Sequence, residues 1–368
     1  MKSNLDPVYV SLGQNIPNYL IDAIKRHNLI FPDKAPTIIV SKNMKKLGLK
    51  LSNCHIFEYE PELQTEKILG NLSHDKKFRN GFWRYTLERI FALEQFHRVN
   101  QNRKLIHIEG DVLLFPNFPW QTFEKMNKLS WGGFSKSHDV AALLYSPSSD
   151  KTSRLATFIR TLAKEYTDIT DMTALFKFRE KYPEEVIVLP SWAKKLQKEK
   201  LYIDEDLKAL SLENSEKDVF DGIFDPQALG MWLAGIDPRN NYGVTRIHSE
   251  EIFENGISIV NPTEERFSID KNGNIYFEIS KEKLPIFNLH VHSKNRKLFS
   301  KQWISEITRL IDLANKRKTL IREFNLHVLI SLLIANYRNG TLVLYLYNYP
   351  LIKTTFSRIK NSIRNSTK

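Results

Sequence analysis

Apolar and polar positions along this chain follow two rhythms that trade places. Residues 7–14 (Pro-Val-Tyr-Val-Ser-Leu-Gly-Gln) open with a β-rich run ending in a polar turn that contains Gly13. Ile16, Tyr19, Leu20, Ala23 and Ile24 then recur at helical spacing. They predict a helix over about 16–27, with Asn15 or Asn18 as cap and Pro17 early, where its missing N–H costs nothing. Apolar strands follow at 35–40 and 54–58. A long helix is predicted from Phe82 to Asn100, with Trp83, Leu87, Ile90, Phe91 and Phe96 as its apolar set. Lys104–Ile108 reads as a strand that stops abruptly at Glu109-Gly110-Asp111. Runs at 139–146 and 185–190 read as buried strands, with helices over about 150–166 and 170–181 between them. Such alternation predicts an α/β fold, a mixed and mostly parallel sheet flanked by helices.

The later chain is less regular. Residues 193–218 are rich in Lys, Glu and Asp and read as a surface excursion. A helix is predicted from Pro226 to about Ile236, with Asp225 as its N-cap. Lys271-Asn272-Gly273-Asn274 reads as a hairpin turn, and Ile286–His292 as a last strand. From Gln302 a helix is marked by Ile304, Ile307, Leu310, Ile311 and Ala314. Two apolar stretches follow, Leu326–Ala335 and Thr341–Ile352, interrupted by Arg338 and Asn339-Gly340. Neither reaches the roughly 18–20 apolar residues of a spanning helix. The expected organisation is a body over 1–300 and a helical, apolar and basic appendage over 301–368.

Composition narrows the class. Of 368 residues, 42% are hydrophobic and 26% charged, which excludes a disordered chain, a collagen-like fibre and a polytopic membrane protein. One cysteine, Cys54, excludes a disulfide framework and a Cys-based zinc site. The N-terminus shows no secretory pattern. The net charge of +12 points to an anionic partner, but it is unevenly spread. From Leu313 to Lys368 ten basic residues stand against one acid, Glu323, so that stretch holds +9 and the first 312 residues +3. This weakens a nucleic-acid reading, for which no basic and aromatic module is visible. It favours a tail on an anionic membrane surface over a charged catalytic body, with a packed helical appendage as the plain alternative.

Three local features carry chemistry. In Glu109-Gly110-Asp111 two carboxylates stand one residue apart where an apolar strand stops, the edge at which open α/β sheets bind ligands. Gly110 permits the turn, and hard oxygen donors suit Mg²⁺ or Mn²⁺. A polar loop after a core strand is the other reading. In Asn288-Leu289-His290-Val291-His292-Ser293-Lys294 two histidines share a strand face ahead of a lysine. They fit either divalent ligation beside a diphosphate or two half-buried structural imidazoles. Asp225 fits either an ordinary helix cap or a carboxylate at a pocket mouth acting on an acceptor hydroxyl.

In this order the three features resemble nucleotide-sugar glycosyltransferases of the GT-A fold, especially bacterial enzymes of lipopolysaccharide or capsular polysaccharide synthesis. The resemblance spans about residues 7–300. It implies a GT-A-like sheet and transfer of a sugar from a nucleotide-diphosphate donor, a UDP-sugar foremost, to a glycan or lipid-linked acceptor. It implies Asp111 as metal ligand, Glu109 touching the donor ribose or the metal, and His290 or His292 completing the coordination of Mn²⁺ or Mg²⁺. Lys294 would face the diphosphate, and Ser11, Gly13 and Gln14 the base and ribose. Arg84 or Arg89 would bind the donor, although Arg84 and Glu88 equally form an i,i+4 surface pair. Asp225 would position or deprotonate the acceptor. One departure is Glu109, where the motif has Asp. A sugar-phosphate nucleotidyltransferase is the nearer alternative, and a basic nucleic-acid-binding protein the farther one. The implied location is cytoplasmic, peripheral on the inner membrane face.

Overall fold

The computed structural model describes residues 4–42, 44, 51–74, 81–133, 138–191, 219–234, 266–279 and 282–316. The charged stretch 193–218 and the tail from 317, with its apolar segments and basic end, lie outside the described residues. Among the described residues no helix is long and apolar enough to cross a membrane.

Seven strands form the main sheet: β1 (Leu5–Ser11), β2 (Thr37–Ser41), β3 (His55–Tyr59), β4 (Lys104–Ile108), β6 (Leu129–Gly133), β7 (Asp139–Ser146) and β8 (Val186–Leu189). Their order is β3-β2-β1-β4-β7-β6-β8. The pairs β3/β2, β2/β1, β1/β4 and β6/β8 are parallel, while β7 runs antiparallel to both neighbours. The sheet is therefore mixed and mainly parallel, as the alternation predicts.

Period-2 patterning sorts its side chains onto two faces. Val8, Ile39 and Leu105 join one buried cluster with α3 (Phe82–Val99), α5 (Ser149–Glu165) and α6 (Asp171–Lys181). Tyr9, Ile38, Ile106 and Ile108 join a second with α1 (Asn18–Ile30) and α4 (Trp120–Lys125). Ser148 caps α5 through its hydroxyl, and Thr170 and Thr173 cap α6 reciprocally. A short α2 (Leu63–Gly70) completes this half.

The later chain builds a separate three-stranded sheet from β9 (Arg266–Ile269), β10 (Ile275–Ile279) and β11 (Glu282–Ile286). The hairpin turn at 271–274 joins β9 to β10, as expected. The strand expected over 286–292 is instead broken at Phe287. That residue's N–H donates to Ile223 O and its carbonyl accepts from Phe115 N, so its backbone serves other segments. Beyond the break, β12 (Asn288–His290) turns away and pairs with β5 (Val112–Leu114).

The helix expected from Gln302 is α8 (Trp303–Lys316). Trp303, Ile307, Leu310, Ile311 and Ala314 bury into a third cluster with Leu113, Phe115, Phe277 and Leu289. The described part of the expected appendage thus packs into the same core as β5 and β12, and the boundary at 300 falls within that core. Ile304, expected on the apolar face, is 44% exposed. The helix predicted over 16–27 runs instead over 18–30, with Pro17 at its cap position and no side-chain cap.

Candidate active site

The site forms where β4 ends. Glu109 follows the strand, two residues after His107, on the face covered by α3. The chain turns at Gly110, with Val112 N donating to Glu109 O at 3.0 Å, and continues as β5. A Cβ on Gly110 would sit 3.0 Å from Leu20 Cδ1 and 3.3 Å from Tyr19 Cε2, so the first turn of α1 presses against the motif. Asp111 then precedes β5, and its carbonyl accepts from Val291 N at 2.7 Å.

That contact continues the β5/β12 ladder, in which His290 pairs with Val112. The ladder brings a histidine from far down the chain onto the acidic turn. His290 Nε2 lies 3.4 Å from Glu109 Oε2 and 3.5 Å from Asp111 Oδ1. Its Nδ1 lies 2.7 Å from Pro226 O, which only accepts, so the proton sits on Nδ1 and Nε2 faces the carboxylates. One ligand atom from each of Glu109, Asp111 and His290 falls within 4.8 Å of the others. Two carboxylate oxygens and an imidazole nitrogen, the latter oriented through its second nitrogen, are a donor set that fits a divalent cation.

Charge is balanced tightly around this set. Lys294 Nζ donates to Asp111 Oδ2 at 2.8 Å. Burial alone would raise the Asp111 carboxyl, but Lys294 and His290 together hold it well below the carboxylate range. Burial opposes a charge on His290, yet Asp111 and then Glu109 push it up to about 9. Lys294 sits at φ 52°, a left-handed conformation that costs a non-glycine residue roughly 1–2 kcal/mol. Such strain is typical of functional positions.

A second layer fixes His290. Asp225 is 1% exposed and accepts three backbone N–H groups: Leu229 at 2.9 Å, Gly230 at 2.7 Å and His290 at 2.9 Å. Burial pushes its carboxyl up, while these donors oppose the rise. Asn288 pairs with the Asp225 backbone at both ends, accepting from N at 3.1 Å and donating to O at 2.8 Å. Asp225 thus caps α7 (Ala228–Ala234), which starts two residues after the predicted Pro226, and braces β12. Both carboxylate oxygens accept backbone N–H groups inside the protein, Oδ1 from Leu229 and Oδ2 from Gly230 and His290. A Cβ on Gly230 would lie 1.8 Å from His290 O, so the helix rests directly on the strand.

The remaining expected residues divide. His292 falls outside the three-donor group, although its ring lies 4.5 Å from that of His290. Strand β12 ends at His290, and His292 belongs to the following turn with its N–H on His290 O. Arg84 is 43% exposed and makes the i,i+4 pair with Glu88 at 3.3 Å, but Glu88 is only 6% exposed, so the pair is half-buried. Arg89 instead reaches the site, bridging Glu109 and Asp171 while only 9% exposed. Ser11 is buried at the end of β1, Gly13 N donates to Ser41 Oγ at 3.1 Å, and Gln14 is exposed. Asp171, Asn288 and Gly230 carry no signal of their own in sequence. Arg89 does, since a cation between Leu87, Ile90 and Phe91 on a buried helix face needs a partner.

No protein-family model matches the chain, and no curated protein does. Solved structures do match it in part. A galactosyltransferase, LgtC, in complex with donor and acceptor sugar analogues is 14% identical, with a TM-score of 0.37, over 58% of this chain and 84% of that one. The PaToxG glycosyltransferase is 9% identical, with a TM-score of 0.35, over 57% and 76%. A glycosyltransferase involved in glycosylation of the major capsid of PBCV-1 is 13% identical, with a TM-score of 0.30, over 50% and 81%.

Proposed function

We propose that this chain is a metal-dependent glycosyltransferase of GT-A type, moving a sugar from a nucleotide-diphosphate donor to a hydroxyl of a glycan or glycolipid. The observation that carries this reading is the convergence of Glu109, Asp111 and His290, with Lys294 beside them, at the carboxyl end of β4. Glu109, Asp111 and His290 would hold Mn²⁺ or Mg²⁺, which when bound supplies positive charge against the departing diphosphate.

The chain's own residues do the rest. Lys294 places its ammonium where negative charge builds up on the leaving diphosphate. Its Nζ lies 5.5 Å from the Tyr19 ring, which ties it to the first turn of α1. The loop before α1 carries Gly13 and Gln14, beyond Ser11 at the end of β1. Parallel β1 and β4 end at the same sheet edge, so this loop stands next to the acidic turn and would hold base and ribose. Transfer would break the bond between the anomeric carbon and the diphosphate oxygen and form one to the acceptor oxygen, the hydroxyl proton passing to the departing diphosphate or to water. Asp225 acts by holding His290, and is a positioning residue.

UDP together with Mn²⁺ should raise the melting temperature, and chelator should abolish the gain. A screen of nucleotide sugars with Mn²⁺ should then find one that is hydrolysed. The absence of any shift with every nucleoside diphosphate and metal tried would overturn the reading.

A further inference from the structure

We propose that Asp171 is a positioning residue whose carboxylate neutralises Arg89, and thereby keeps Glu109 available to a divalent cation. The inference rests on the metal-dependent reading of the site and adds to it a residue that touches none of the three donors.

The geometry is a chain of three charges. Arg89 Nη1 bonds Glu109 Oε1, and Arg89 Nη2 bonds Asp171 Oδ2. The other Glu109 oxygen, Oε2, is the one facing His290. Arg89 is 9% exposed and Asp171 3%, so both interactions run through a poorly screened interior. A guanidinium bonded to a ligand carboxylate competes with any metal for that carboxylate's electrons and repels the ion. A second carboxylate on the same guanidinium cancels that charge and fixes which Glu109 oxygen is consumed.

Asp171 is not spent on building its helix. The cap of α6 is supplied by Thr170, whose hydroxyl accepts from Thr173 N at 3.1 Å, while Thr173 Oγ1 accepts from Thr170 N at 3.0 Å. The Asp171 carboxylate stands in the first turn, where the helix dipole favours a negative charge, and points at Arg89. Arg89 Nε is buried without a hydrogen-bond partner, so losing Asp171 would leave the cation with Glu109 alone among these acids.

The test measures Mn²⁺ affinity of the full chain by calorimetry and by the electron-spin signal of free Mn²⁺, with and without UDP. Asp171→Asn should bind Mn²⁺ roughly tenfold or more weakly, the usual range for loss of an outer-layer partner. Asp171→Glu should retain most of the affinity. The double variant Asp171→Asn with Arg89→Gln should bind more tightly than Asp171→Asn alone, because the unneutralised cation is gone. A purely structural role predicts no such rescue. Wild-type affinity in a folded Asp171→Asn variant, or absence of rescue in the double variant, would overturn the inference and leave the metal reading standing. A wild-type chain that binds no Mn²⁺ would overturn both.

Discussion

The two halves of the site are held by opposite means. The acidic half, Glu109 and Asp111, stands on a tight turn of the regular sheet and is fixed by charged side chains, Arg89 with Asp171 and Lys294. The histidine half stands on a three-residue strand whose main chain packs directly against α7 and is held by side-chain-to-backbone hydrogen bonds. Asp225 binds His290 N, Pro226 O binds His290 Nδ1, and Asn288 ties the strand to Asp225. Side-chain charges tolerate small shifts of their carriers. Backbone bracing does not, because it depends on how closely two main chains approach.

The sharpest way to break this contrast is therefore a methyl group. Gly230→Ala would place a Cβ 1.8 Å from His290 O, a distance no relaxation of a side chain can relieve. Helix α7 must lift from β12, and the Asp225 bonds to Leu229, Gly230 and His290 go with it. Denaturant unfolding should show a loss of about 4 kcal/mol or more, the range of exceptional single substitutions. Mn²⁺ binding should disappear even in the folded fraction. Wild-type stability in this variant would show that the strand is not held by the helix.

This contrast also explains what the sequence discloses. Strands β1, β4 and β7 announce themselves by apolar runs, and the Glu-Gly-Asp turn by its place at the end of one. The three-residue strands β5 and β12 are too short for periodicity to register. Their pairing joins segments some 175 residues apart through backbone hydrogen bonds, which leave little trace in residue type. A run of residues 286–292 reads naturally as one strand, because nothing in Phe287 itself reveals that Ile223 and Phe115 claim its backbone. Asp225 is legible as a cap, but that its carboxylate also binds His290 N is not. Asp171 is hidden for the same reason, since its meaning depends on Arg89, far away in sequence.

A smaller effect separates the halves by pH. Beneath the acidic half, burial and then Arg89 push His107 down to about 3, so it folds neutral. Its contribution is full above the unfolded value of about 6.5 and is lost as pH falls from there toward 3. In the ion-free histidine half, His290 is raised to about 9. Its contribution is full below about 6.5 and is lost as pH rises through 9. Ion-free stability should therefore decline on both sides of neutrality, by on the order of 3 kcal/mol on each limb. Unfolding curves from pH 4 to 10 check this. His107→Gln should flatten the acid limb and His290→Gln the alkaline one. If either variant flattens the opposite limb, the charge states assigned to the two halves are wrong.

The smallest expected effect on stability sits at Lys294, where the halves meet. Its backbone is left-handed, at φ 52°, and its ammonium holds Asp111 across the junction. Asn53 adopts nearly the same conformation, at φ 55°, and asparagine is a residue that tolerates it. Lys294→Asn should relieve roughly 1 kcal/mol of backbone strain while giving up the ion pair with Asp111. The two changes oppose each other, so the melting temperature should move by only a few degrees. If Lys294 has the proposed role at the diphosphate, donor binding should not be spared, because asparagine carries no charge there. UDP affinity in the presence of Mn²⁺ should fall well beyond what the change in stability explains, while affinity for Mn²⁺ alone should hold or improve once the lysine no longer competes for Asp111. A variant that keeps wild-type UDP affinity would make Lys294 a structural link between the halves and remove it from the donor site.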